Sequence, residues 1–183
     1  MREIVFNNSQ HLLILNQDLL RERIVSVLEL EGITAATISV ALVTDEVIHQ
    51  VNREYLDHDY PTDVISFLYE PEVFRNFAAN PEEDSGHLDG EVIVSVETAI
   101  RESARFGWQP LDELTLYLVH GVLHLCGYDD QSPADLAEMR AAECRVLQRW
   151  NLLPNYVDRC ETDPAEILPL SMNPLGDACR DQR

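Results

Sequence analysis

Residues 116–130 read LYLVHGVLHLCGYDD, and this stretch decides how the rest of the chain is arranged. It closes a strongly apolar run over 111–126, which predicts a buried helix around which other elements pack. His120 and His124 lie four positions apart, so on a helix both imidazoles share one face within reach of a single metal ion. Gly127 follows as a stop: a left-handed cap there reverses the chain and carries Asp130 back toward the histidine face. Two imidazoles, one carboxylate and an open fourth position make the layout of catalytic zinc, since structural zinc usually has four protein ligands. The alternative, a pair of core histidines, requires buried polar partners for both rings.

Working outward, TISVALVT at 37–44 reads as a buried strand, and Asp45 then caps a helix to about Tyr55. VISFLY at 64–69 and EVIVSV at 91–96 are two further strands, separated by a polar, Pro-interrupted surface loop over 69–89. Apolar spacing from Asp18 to Leu30 predicts an amphipathic helix, preceded by a strand around 11–15. Past the third strand the chain is helical: 97–106 ending at Gly107, then 111–126, then a helix with Ser132 as N-cap and Pro133 in its first position, reaching Trp150. These elements predict an α/β (α+β) domain over 1–154, a small mixed sheet covered by helices, with the metal site at the end of the buried helix. Residues 155–183, acidic and Pro-containing, predict a disordered tail.

Composition narrows the function classes. The 183 residues suffice for one domain, and 45% hydrophobic content with 7 Gly and 9 Pro excludes a disordered or fibrous chain. Against 33 acidic residues stand 13 basic ones, all Arg, for a formal charge of −20. Bulk polyanion binding is therefore excluded, because each phosphate contact normally needs a Lys or Arg; any nucleic-acid role must rest on a local site. The longest apolar run near the N-terminus, HLLIL at 11–15, is far too short to span a bilayer, and a cytoplasmic protein is expected. Cys126, Cys144, Cys160 and Cys179 form no CxxC pair and read as reduced thiols.

The His, three residues, His, five residues, Asp spacing is also that of metzincin-type peptidases. Those enzymes need a Glu directly after the first His, and here that residue is Gly121. HGVLHLCGYDD instead resembles the signature of the YbeY family of bacterial rRNA maturation endoribonucleases, His-Gly-x-Leu-His-Leu-x-Gly-Tyr-Asp-His. VNREYLDHDYPTDVISF at 51–67 resembles that family's Asn-x-x-Tyr-Arg-x-x-Asp-x-Pro-Thr-Asp-Val-Leu-Ser-Phe segment, and Gly90 to Val94 its Gly-Asp-Ile-x-Ile strand. The resemblance implies a zinc-dependent endonuclease, one zinc per chain, that cuts single-stranded RNA, matures 16S rRNA and takes part in ribosome quality control. The implied partners are the 16S rRNA precursor and the small ribosomal subunit or one of its proteins, with no membrane and no DNA. Its implied metal ligands are His120, His124 and Asp130, the last where the family commonly has His.

A second departure is Leu56, at a place where the family carries an Arg thought to act on the substrate phosphate; leucine cannot donate hydrogen bonds to a phosphate. Arg53 is the replacement candidate, against the plainer reading of a solvated surface Arg, and the metal-bound water is otherwise the only catalytic group expected. Thr62 and Asp63 read first as turn residues before a strand, with Thr62 and Ser66 as candidates to line a cleft. Asp129 either orients an imidazole or caps the turn after Gly127. His58 and His87 read as exposed, and Leu136, Met139, Cys144 and Leu147 as a core stripe. A ribosome-associated binding factor that has lost cleavage is the competing class, separated from the nuclease by Leu56.

Overall fold

The computed structural model describes residues 1–69, 87–154 and 156. Strand β1 (Arg2–Asn8) leads through helix α1 (Gln17–Leu30) to β2 (Ala35–Val43), and α2 (Asp45–Leu56) leads to β3 (Val64–Tyr69). Strand β4 (His87–Ser95) runs straight into α3 (Val96–Phe106), followed by α4 (Pro110–Leu125), α5 (Pro133–Leu147) and a 3-10 turn (Gln148–Trp150). The sheet order is β1-β2-β4-β3, with β1 and β4 parallel to β2 and β3 antiparallel to β4. This is the mixed α/β architecture that the sequence predicts. No helix among the described residues is long and apolar enough to cross a membrane.

β3 and the second half of β4 are buried on both faces, which explains their nearly continuous apolar sequences, whereas β1 is buried on one face only. Val64 and Val92 point into the large core beneath α1, α4 and α5, while Ile65, Phe67 and Ile93 meet Ile48 and Leu56 of α2 in a smaller cluster on the opposite face. Helix α4 is the hub, packing on β3 and β4 and touching α1, α3 and α5. Its seat on the sheet is close at Gly121, where an added Cβ would lie 2.7 Å from Val92 Cγ1 and 2.9 Å from Val64 Cγ2.

Three expectations are corrected. The apolar run 11–15 is not a strand; the strand is β1, whose Ile4 and Phe6 alternate onto the main core with Glu3, Val5 and Asn7 between them. Residues 12–13 are instead held by buried Gln10, whose Oε1 accepts from the Leu12 and Leu13 amides at 2.7 and 2.9 Å and whose Nε2 donates to the Leu13 carbonyl at 2.9 Å. Those bonds replace a strand partner. Asp45 is not the cap of α2, because Thr44 holds that position; Asp45 accepts from Ser95 Oγ, from Thr98 Oγ1 at 2.6 Å and from Arg101 at 2.6 Å, tying α2 to α3. Finally, β4 begins at His87 rather than 91, so the expected loop 69–89 is shortened by strand residues at its end. Its residues 70–86, and the expected tail apart from Tyr156, lie outside the described residues.

Candidate metal centre

The site is built by the way α4 ends. Gly127, at φ +100°, lets the Gly127 amide donate to the His124 carbonyl at 3.0 Å and the Tyr128 amide to Leu123 at 3.1 Å, the paired bonds of a Schellman cap. The reversal leaves the Tyr128 carbonyl 2.9 Å from His124 Nδ1 and returns Asp130 to the imidazole face. Ser132 then caps α5 by accepting from the Asp135 amide at 3.2 Å, as its sequence predicts.

His120, His124 and Asp130 converge, with one ligand atom from each lying within 4.8 Å of the others. The two Nε2 atoms are 2.9 Å apart, and Asp130 Oδ2 stands 3.7 Å from His120 Nε2 and 3.9 Å from His124 Nε2. Ligands about 2.0–2.2 Å from a tetrahedral zinc lie about 3.3 Å from one another, a value these edges bracket. Tautomers support the same conclusion. The Tyr128 carbonyl can only accept, so His124 Nδ1 carries a proton; Glu143 Oε1, 2.6 Å from His120 Nδ1, fixes that ring in the same way. The facing Nε2 atoms share a proton when His120 is charged; with both rings neutral, their lone pairs are offered to one point, where a cation fits. Asp130 Oδ1 is buried without a hydrogen-bond partner, a further sign of a site shaped for a cation.

The electrostatics follow from burial. His124 is pushed down to about 3 by desolvation and by the neighbouring His120, the Tyr128 carbonyl opposing. Desolvation also works against a charged His120, but the bond to Glu143, with Asp63 and Asp130 nearby, raises it overall. Burial raises the Asp130 carboxyl, against the pull of His120. Neutral His124 is in the form a metal needs.

Other expected site residues are placed as follows. Asp129 caps the turn, its Oδ1 accepting from the Asp130 and Gln131 amides at 2.7 and 3.2 Å, and the imidazole-orienting task falls to Glu143. Ser66 is buried and donates to the Gly121 carbonyl at 3.0 Å, so it fastens β3 to α4 rather than lining an open cleft. Thr62 donates to Asp63 Oδ1 at 3.1 Å. Leu56 is buried beneath α2, on the sheet face opposite α4, and Arg53 is exposed on that same helix; neither is brought to the cluster. His58 is half-buried and stacks on Tyr60 at 5.4 Å, and His87, exposed as expected, bonds Thr37 at 2.8 Å. Cys126 and Cys144 are free thiols, as expected of them.

Sequence reasoning missed Glu143. The signal was there: Glu143 falls midway between Met139 and Leu147 on the buried stripe of α5, a charge inside an apolar face. It also undervalued Asp63, whose charge acts on both His120 and Asp130.

A family model described as "Endoribonuclease YbeY" matches residues 5–151. A Rhodopirellula baltica protein named endoribonuclease YbeY is 42% identical over 120 residues, covering 64% of this chain and 56% of that protein. The match thus spans just over half of that relative's length. An Exiguobacterium protein of the same name is 37% identical over 152 residues, covering 82% of this chain and 96% of its own. The solution structure of a Thermotoga maritima protein superposes with a TM-score of 0.50 at 22% identity, covering 90% of this chain and 98% of that one, a likeness of fold.

Proposed function

The chain belongs to the endoribonuclease YbeY family, and from that premise we propose that it is a zinc-dependent endoribonuclease acting on single-stranded RNA in 16S rRNA maturation and ribosome quality control. The observation that carries the reading is the His120, His124, Asp130 cluster, whose inward nitrogens are held as lone-pair donors from behind. His120, His124 and Asp130 would hold the zinc, which would supply Lewis-acid polarisation of the phosphodiester and ease loss of the proton from the attacking oxygen.

The chain's own residues set up that chemistry. Glu143 and the Tyr128 carbonyl orient the two rings, so no reorganisation is needed when the ion arrives. Asp130 adds a full negative charge at the third corner, which tightens binding of a cation but leaves the site less electropositive than three imidazoles would. Gly121 disfavours a peptidase: with 2.7 Å to Val92 Cγ1 already limiting a single Cβ, the glutamate of that class has no room on this helix. With a formal charge of −20, the surface repels free RNA, so a cytoplasmic partner on the small ribosomal subunit supplies the positive charge or the tether.

One observation favours a second reading, a ribosome-associated binding factor with a structural metal site: Leu56 is buried and Arg53 lies on the other sheet face. Cleavage assays separate the two. Untagged protein should carry about one divalent ion per chain by elemental analysis, cut single-stranded but not duplex RNA, stop on chelation and resume with added zinc. Asp130→Ala should lose metal and cleavage together. Metal-loaded protein that leaves single-stranded RNA intact, even with small subunits present, would establish the binding factor instead.

A further inference from the structure

We propose that Tyr156 is a positioning residue of the metal centre: its hydroxyl holds the outer carboxylate oxygen of Glu143, and through it keeps the inner oxygen on His120. The proposal rests on the metal-site reading above and extends the site beyond residue 151, where the match to the family ends.

Tyr156 arrives by a second reversal of the chain. Helix α5 ends at Leu147, the 3-10 turn follows, and Asn151 takes a left-handed conformation at φ 57°. Asparagine enters that region more readily than most residues with a side chain. The Asn151 amide donates to the Gln148 carbonyl and the Leu152 amide to the Leu147 carbonyl, both at 3.1 Å, so the chain leaves the helix already turning back. Trp150 and Leu152 pack on the main core and pin the return. Tyr156 then lies against the last two turns of α5, with its ring centroid 5.0 Å from the guanidinium carbon of Arg140 and its hydroxyl donating to Glu143 Oε2.

Two bonds are needed to hold the Glu143 carboxylate. Rotation about its last torsion is soft, so the bond between Oε1 and His120 Nδ1 at 2.6 Å does not by itself fix the plane of the group. The Tyr156 hydroxyl on Oε2 supplies the second point, and it satisfies an oxygen that would otherwise be buried without a partner. His124 needs no such help, because its acceptor is the Tyr128 carbonyl, and the Tyr128 amide is already bonded to Leu123 in the cap of α4. One imidazole is thus held by main chain and the other by a pair of side chains, from α5 and from the segment beyond it. Asp130 shows the contrast. Its Oδ1 is buried with no hydrogen-bond partner, as suits a ligand, whereas both oxygens of Glu143 are engaged, as suits a support.

The test is Tyr156→Phe in the full chain, which keeps the ring beside Arg140 and removes only the hydroxyl. In competition with a chromophoric chelator, zinc affinity should fall about 3- to 10-fold, less than the loss of about 10- to 100-fold typical of a residue bonded directly to a ligand. In the Glu143→Ala background the same substitution should change affinity by less than about twofold, because the hydroxyl acts only through that carboxylate. An affinity for Tyr156→Phe within about twofold of the parent would overturn the assignment. So would an equal loss in both backgrounds, the mark of a general effect on the fold. A readout without metal runs alongside: in protein carrying isotopically labelled histidine, the His120 Nδ1 proton should shift, and exchange faster with water, in Tyr156→Phe. An unmoved proton signal takes Tyr156 out of the site. Should the parent bind no zinc, the metal-site reading fails on its own, and the proton signal alone decides whether Tyr156 sets the His120 ring.

Discussion

Glu143→Ala removes the carboxylate that holds His120 from behind. In the parent this residue is 3% exposed, its Oε1 lies 2.6 Å from His120 Nδ1, and its Oε2 accepts from the Tyr156 hydroxyl. Outer partners of metal-bound histidines are typically worth about 10- to 100-fold in affinity, or about 1.4–2.7 kcal/mol. The alanine variant should sit at the upper end, because it also leaves the buried Nδ1–H without an acceptor. Glu143→Gln is the milder perturbation. Its amide oxygen can still accept from Nδ1, so it loses the charge but keeps the bond, and a charge-assisted bond is roughly twice as strong as a neutral one. Its affinity should therefore fall by about tenfold at most. Competition of the parent and both variants against a chromophoric chelator, with circular dichroism to confirm folding, gives the ranking parent, Gln, Ala. An alanine variant that binds zinc as tightly as the parent would refute the role of Glu143, and a glutamine variant weaker than alanine would refute the tautomer argument.

Gly121→Ala should lower stability by about 1–2 kcal/mol, the strain of a Cβ 2.7 Å from Val92 Cγ1 outweighing the helix propensity of alanine, and lower Tm by about 2–8 °C; an unchanged Tm in a thermal melt would contradict the close seat of α4. Asn52, buried at 2% exposure, donates from Nδ2 to the Tyr60 carbonyl at 2.8 Å and so fixes the turn that leads to Asp63. Asn52→Asp, which can only accept, should cost about 1–3 kcal/mol in urea unfolding, and a parent-like midpoint would show the bond to be idle. Burial alone would raise the Asp45 carboxyl, but bonds from Ser95, Thr98 and Arg101 lower it overall. A lowered folded-state value gives stability that is present above the unfolded value of about 3.9 and lost as pH falls through the folded one. The stability gap between the parent and Asp45→Asn should therefore hold from pH 7 to about 5 and close below about 4; an equal gap at pH 7 and pH 3 would show that the charge of Asp45 contributes nothing.

What the sequence makes legible is what is local. The i, i+4 histidines, the Gly127 reversal, the return of Asp130 and the Ser132-Pro133 start of α5 are each decided within a few residues, and each is found where its spacing puts it. What is not legible depends on which distant residue arrives. HLLIL at 11–15 has the composition of a strand, but buried Gln10 supplies its backbone bonds and leaves Ile14 exposed, whereas REIVFNN finds β2 as a neighbour. Asp129, near the histidines in sequence, is the local candidate for orienting an imidazole, but the task falls to Glu143, because α5 packs against α4 and brings its Oε1 to 2.6 Å from His120 Nδ1. Asp45 likewise has the sequence of a cap, yet its oxygens are claimed by residues on α3 that only the sheet order brings near.

Charge links the site to the surface around it. Asp130 and Glu143 stand against the two imidazoles, so on the proposed reading a divalent ion bound there would be largely neutralised before RNA arrives. Such a centre would hold its metal firmly but attract a phosphodiester weakly, and neither Leu56 nor Arg53 brings a guanidinium to the cluster. Affinity for substrate must then come from outside the centre. The remaining surface cannot provide it either, given 33 acidic against 13 basic residues. A substrate delivered by a docked, basic partner removes the difficulty, because a tethered strand reaches the site at high effective concentration without any attraction of its own. The same arrangement would give selectivity: on the proposed reading, a nuclease that holds its metal tightly and repels free RNA would cut only where a partner places the strand.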